Sequence, residues 1–225
     1  MTDDLPSYFT DNGHLLLTGI TGAETDFGGK SALATWWADT HGRRRDLVLW
    51  CNFKQDDVVG VLDGFVEVRS VRAVGEAMHD GARRIVLTPN NPDWEAVSRR
   101  VEALVRELPS DMSKLVVLDE VPELDEDAVL SFVRLHGNGA NCKTLALAQS
   151  PTDVSGSVLK QTSPVWVGLI KSSYRAWFRT HDYEAHFDHI QQRHEPFHWT
   201  VITGPGESDR DHFEPVPAQY GEVSG

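Results

Sequence analysis

The sequence predicts an α/β fold on a mainly parallel central sheet with helices on both faces. Three observations carry that expectation. Apolar runs of strand length alternate with helical patterns along most of the chain, and such alternation builds parallel sheets. The first run, His14-Leu15-Leu16-Leu17-Thr18-Gly19-Ile20, leads through glycines into Gly28-Gly29-Lys30-Ser31 and then a helical pattern from Ala32. A later run, Leu115-Val116-Val117-Leu118, ends in Asp119-Glu120. Unbroken apolar runs of this kind are strands buried on both faces.

Taken in order, strands are expected over 14–20, 46–52, 65–69, 84–88, 114–119, 143–149, 164–170 and 197–203. Helices are expected over 30–41, 70–81, 92–107, 124–136 and 183–193. Gly42 and Gly81 follow two of these helices, where a C-cap glycine belongs. In such a sheet ligands bind at the C-terminal edge of the strands. The loops after 20, 119 and 149 should therefore converge on one site.

The loop between residues 20 and 30 has the setting of a phosphate-binding loop. Backbone N–H groups of the loop and of the helix N-terminus face the anion, and the helix dipole favours its charge. Gly22, Gly28 and Gly29 would line it, with Ala32 at the helix start. Lys30 would reach the β- and γ-phosphates of ATP, and Ser31 would ligate Mg²⁺. The strict spacing would require Gly at position 24, where the chain has Glu24, so the loop is lengthened. The plainer alternative is an ordinary glycine-rich turn before a helix.

Asp119, at the tip of its strand, can hold the Mg²⁺ shell. Glu120 is then placed to orient and deprotonate an attacking water. The alternative is that both acids merely cap the next helix, since acids favour helix starts. Thr144-Leu145-Ala146-Leu147-Ala148 is a further strand, ending at Gln149-Ser150-Pro151. Gln149 at the tip of a neighbouring strand can touch the γ-phosphate or the water; otherwise it simply begins a loop.

The chain has 225 residues, enough for one α/β domain. It carries 34 acids against 21 bases, a net charge of −13, and only 6 of the bases are Lys. An acidic, Lys-poor surface is expected of a protein from a halophilic host, where charge maintains solubility in high salt. It argues against a broad basic nucleic-acid face, though a few Arg residues lining a ring can still meet DNA. Cys51 and Cys142 lie at strand edges, as small buried groups do. The cluster His181, His186, His189, His194 and His198 lacks a repeated metal-ligand spacing, and a solvated helix face is expected. Neither a signal peptide nor a membrane span is read. Trp36-Trp37 on the first helix reads as core and interface packing. The acidic segments 1–12 and 204–225, rich in Gly, Pro and Ser, are expected to be arms flanking a single ATPase domain over 13–203.

Together, Gly19-Ile20-Thr21-Gly22-Ala23 with Gly29-Lys30-Ser31, Leu118-Asp119-Glu120 and Leu147-Ala148-Gln149-Ser150-Pro151 resemble the FtsK/HerA group of DNA-pumping ATPases. Gly81-Ala82-Arg83-Arg84-Ile85-Val86-Leu87-Thr88-Pro89 is similar to the strand those proteins place before the Asp-Glu strand. The small size is most similar to genome-packaging ATPases of icosahedral viruses with an internal membrane, archaeal ones included. The resemblance implies a RecA-like P-loop NTPase fold of the ASCE type, and a motor that hydrolyses ATP with Mg²⁺. It implies double-stranded DNA as the translocated partner and a homo-oligomeric ring, hexamer or pentamer. Capsid or membrane-vertex proteins would be further partners, with the host cytoplasm or the virion as the location. Members often carry an Arg finger for the neighbour's ATP shortly before the sensor Gln; here that position is Asn138. Arg134, one turn earlier, is the leading candidate, with Arg175 and Arg179 as others. A plasmid or cellular DNA-processing ATPase, a small-molecule kinase and a non-catalytic scaffold are the competing functions.

Overall fold

The structure is a computed structural model and describes residues 14–19, 30–40, 42–55, 62–134, 141–162, 165–168, 170–192 and 199–202. The arms expected at 1–12 and 204–225 fall outside the described residues, as does most of the phosphate loop.

The strands are β1 (Leu15–Thr18), β2 (Leu47–Cys51), β3 (Val66–Val68), β4 (Arg84–Leu87), β5 (Lys114–Leu118), β6 (Cys142–Ala148), β7 (Val165–Val167) and β8 (Thr200–Ile202). They form one sheet in the order β3-β4-β2-β5-β6-β1-β7-β8. Every pairing is parallel except β7 with β8. Each of these strands falls on a segment expected from the apolar runs. β1, β2, β5 and β6 are buried along their whole length. That explains why they read as continuous apolar runs rather than alternating ones.

Adjacent strand residues face opposite sides, so the sheet feeds two cores. Leu15, Leu17, Val48, Trp50, Leu115, Val117, Leu145 and Leu147 pack with Ala32, Leu33, Ala34, Trp37 and Ala38 of helix α1 (Lys30–Thr40). Leu16, Leu49, Cys51, Ile85, Leu87, Val116 and Leu118 face the other side. There they meet α2 (Val71–His79), α3 (Trp94–Glu107) and α4 (Glu126–Phe132). The short α5 (Gly156–Leu159), α6 (Arg175–Thr180) and α7 (Glu184–Gln192) complete that layer. Trp37 is the core residue that the sequence suggested, with Trp36 packed partly buried beside it.

The helix ends show how local chemistry sets the boundaries. Ser70 caps α2 by accepting from the Ala73 N–H at 3.2 Å, and Asp93 caps α3 through Ala96 N–H at 2.9 Å. Gly81 takes φ 98° just past α2, the left-handed position expected of it. Gly42 does not: it opens a short 3₁₀ turn, and a Cβ there would lie 2.8 Å from Val48 Cγ2. Close approach to β2, not a left-handed cap, explains that glycine. The helix expected over 124–136 is shorter, because Asp125 supplies its cap and its last turn closes at Val133.

Both cysteines are free and buried. Burial raises both thiols, Cys142 to about 12, so neither is a nucleophile at neutral pH. The solvated histidine face is corrected in part. His186 is buried, and the His181 ring lies 4.4 Å from that of Trp177. No described helix is long and apolar enough to cross a membrane.

Candidate functional site

Parallel pairing brings the C-terminal ends of β2, β5, β6 and β1 to one edge in consecutive order. The register sets Cys51 opposite Leu118, Leu118 opposite Ala146, and Thr18 opposite Ala148, so β6 and β1 reach two residues beyond β2 and β5. The residues that follow these strands are Asn52, Asp119-Glu120, Gln149 and Gly19, so they share that edge.

Lys30 opens α1 and is almost fully buried. Its ammonium donates to the Gly19 carbonyl at 3.3 Å. The end of β1 and the start of α1 are thereby tied together around the intervening glycine-rich segment. The first turn of α1 carries no acid of its own to offset the positive end of its dipole. Ser31 stands in that turn, and its carbonyl accepts the Thr35 hydroxyl at 2.7 Å. Gly22, Gly28 and Gly29 lie outside the described residues, while Ala32 is buried in the core of the α1 face.

Asp119 is 1% exposed and its N–H donates to the Cys51 carbonyl at 3.3 Å. Glu120 follows in a left-handed backbone conformation, φ 57° and ψ 51°. For a non-glycine residue that costs of order 1–3 kcal/mol, and such residues cluster at functional positions. The plain helix-capping explanation for the two acids fails. Glu120 makes no side-chain cap bond to the 3₁₀ turn Val121–Glu123. The cap of α4 is Asp125, whose carboxylate accepts from Ala128 N–H at 2.9 Å. The cap of α4 is thus neither of the two acids at the strand tip.

Gln149 donates its amide to Glu120 Oε1 at 3.3 Å. The β6 strand that carries it lies directly beside β5, as the order of runs suggested. The structure adds a residue that sequence reasoning missed. Lys54, in the turn after β2, forms an ion pair with the same Oε1 of Glu120. Only the adjacency of β2 and β5 reveals it, and that pairing was not legible in the sequence. Asn52, also missed, stands level with Asp119 and donates to the Thr88 hydroxyl at 3.5 Å.

The candidate finger residues follow α4 and β7 in the chain. Arg134 follows α4, which carries the chain back toward the start of β6; the Phe132 carbonyl accepts from Thr144 at 3.3 Å. Arg134 is exposed there. Arg175 pairs with Asp188 and Glu184, and Arg179 with Glu184 at 3.3 Å. Asn138 lies outside the described residues.

Chemically, the edge gathers a lysine at a helix N-terminus, a buried aspartate, a glutamate and a glutamine. Oxygen donors from Ser31 and Asp119 suit a hard divalent cation such as Mg²⁺.

No protein-family model matches the chain, and no curated protein matches it. Solved structures do match. The genome-packaging NTPase B204 of Sulfolobus turreted icosahedral virus 2, in complex with AMPPCP, superposes with a TM-score of 0.69. The identity is 9%, over 91% of this chain and 98% of that one. Its complex with ATP-γS gives a TM-score of 0.64 at 9% identity, over 92% and 99%. EccC of Thermomonospora curvata, ATPases 2 and 3, gives 0.54 at 12% identity, over 94% of this chain and 41% of that chain. At such identities the likeness is one of fold, and the chain has the RecA-like fold of the P-loop ATPases, with viral genome-packaging NTPases among its structural neighbours.

Proposed function

We propose that the chain is a Mg²⁺-dependent ATPase motor that translocates double-stranded DNA, packaging a viral genome into a capsid. The observation that supports this most is the meeting of Lys30, Asp119, Glu120 and Gln149 at one sheet edge, with the α4 cap supplied by Asp125 instead. The viral packaging NTPases among the structural neighbours support the choice of motor.

In this reading Lys30 and the loop glycines Gly22, Gly28 and Gly29 hold the β- and γ-phosphates, helped by the N-terminus of α1. Ser31 and Asp119 would hold Mg²⁺, which would supply positive charge against the phosphates. Glu120 accepts a proton from a water as the water oxygen attacks the γ-phosphorus. The bond from that phosphorus to the bridging oxygen breaks, and ADP and phosphate leave. Gln149 contacts the γ-phosphate or the water and reports its presence to the rest of β6. Arg134 serves the neighbouring subunit's site, because a guanidinium fork matches developing phosphate charge.

The test is phosphate release from ATP in high KCl with Lys30→Ala and Glu120→Gln. Lys30→Ala is expected to lose nucleotide binding or turnover. Glu120→Gln is expected to bind ATP but hydrolyse it about 10²-fold more slowly or worse, the usual worth of a positioned base. Wild-type turnover in either variant overturns the assignment.

A further inference from the structure

The turn after β2 is built rigidly. Phe53 is fully buried, and its ring lies 6.0 Å from that of Trp94 on α3. Gln55 takes φ 61°, a left-handed conformation, and its N–H closes the turn on the Asn52 carbonyl at 3.4 Å. The Gln55 side-chain amide also donates to the Pro89 carbonyl at 3.3 Å. Asn52 N–H is tied to the Leu87 carbonyl at 2.8 Å. Lys54 therefore projects from a turn anchored on both sides of it. Its side chain is only 18% exposed, and that of its partner Glu120 only 10%. A flexible surface ion pair contributes little; a sheltered pair on a fixed turn holds its geometry.

Both contacts to Glu120 fall on one atom. The Lys54 ammonium and the Gln149 amide each donate to Oε1. A carboxylate oxygen has two lone-pair sites, so these two donors fill them.

We propose that Lys54 is a positioning residue for Glu120: with Gln149 it grips Oε1, fixes the carboxylate plane and leaves Oε2 as the oxygen that receives the proton of the attacking water. The proposal rests on the reading of Glu120 as the base. Lys54 touches neither the nucleotide nor the water. It acts through the orientation of Glu120, so its loss belongs to the turnover step and not to nucleotide binding.

The experiment uses the full chain and compares Lys54→Met, Lys54→Gln and Lys54→Arg. ATP turnover is measured alongside binding of ATP-γS by calorimetry. Lys54→Met and Lys54→Gln are expected to lower kcat about 10- to 100-fold, the scale of a misplaced catalytic group. ATP-γS affinity should be unchanged, and Lys54→Arg should restore much of the rate. A double-mutant cycle supplies the reading that a purely structural role would not move. In single-turnover measurements on a Glu120→Gln background, Lys54→Met should cost nothing further. Unchanged kcat in both Lys54→Met and Lys54→Gln overturns the proposal, as does an equal loss with and without the Glu120 carboxylate. Glu120→Gln turning over like the wild type would instead remove the base assignment, and this proposal with it. Since Gln keeps a polar, hydrogen-bonding end in this sheltered turn, that variant carries the test if Lys54→Met fails to fold.

Discussion

At the scale of single residues, Glu120 is held in a conformation it would not choose. Strain of that kind persists only where the surroundings over-determine it. Here β5 precedes it, the Glu123 N–H closes on its carbonyl at 2.9 Å, and Lys54 and Gln149 take its carboxylate. The Gln149 contact is the weaker of the two, since Gln149 itself is exposed and neutral. Gln149→Ala should therefore leave ATP affinity nearly intact while lowering kcat, the pattern of a contact made in the transition state. A collapse in affinity with normal kcat, in parallel binding and turnover assays, would remove the sensor role. Asp119, Glu120 and Gln149 were legible in the sequence because each ends a continuous apolar run. Lys54 was not, because its importance comes from a neighbour in space, and nothing within Asn52-Phe53-Lys54-Gln55 says which strand lies alongside.

At the scale of elements, burial on both faces made β1, β2, β5 and β6 easy to find, and short length hid two of the helices. α5 and α6, of 4 and 6 residues, are too brief to establish a helical period. The end of α4 was over-extended, because the apolar pattern continues past the point where its hydrogen-bond ladder stops. Its start is set by Asp125, which accepts from Ala128 N–H and pairs with Arg99 at 2.6 Å. These contacts, the Ala128 N–H first, hold the Asp125 carboxyl below its ordinary value. A depressed carboxylate contributes stability above its unfolded pKa and loses it as pH falls through the folded one. Asp125→Ala should therefore lower unfolding stability near neutral pH by about 1 kcal/mol, the typical worth of an N-cap. The gap from wild type should close in acid, below the usual carboxylate range. Chemical denaturation at several pH values checks this, and a gap that widened on acidification would contradict it.

At the scale of the whole molecule, a net charge of −13 leaves a lone chain little means of neutralising DNA phosphates. A ring changes the arithmetic, because several copies of the same few bases line one channel and focus their potential there. Turnover should rise more than linearly with protein concentration. Duplex DNA should stimulate it only where the chain is assembled, and with slight dependence on base sequence, since backbone contacts carry none. Equal turnover with and without DNA, below and above assembly, would favour a small-molecule or scaffold role. The position of Arg134 at the far end of α4 gives assembly a sharper form. Arg134→Ala subunits mixed with Lys30→Ala subunits should recover part of the lost activity, each supplying what the other lacks. No recovery in rings confirmed by light scattering would take the finger role from Arg134.

The division of the sheet into two unlike cores has an optical consequence. Trp37, Trp50 and Trp199 all belong to the side that α1 covers, and none is more than 3% exposed. Trp94 and Trp177, on the opposite side, are only partly buried. The dry indoles emit at shorter wavelength than the wet ones, so among the described tryptophans the blue emission belongs to the side whose helix begins with Lys30. Light from that side follows the packing of α1, with no label attached.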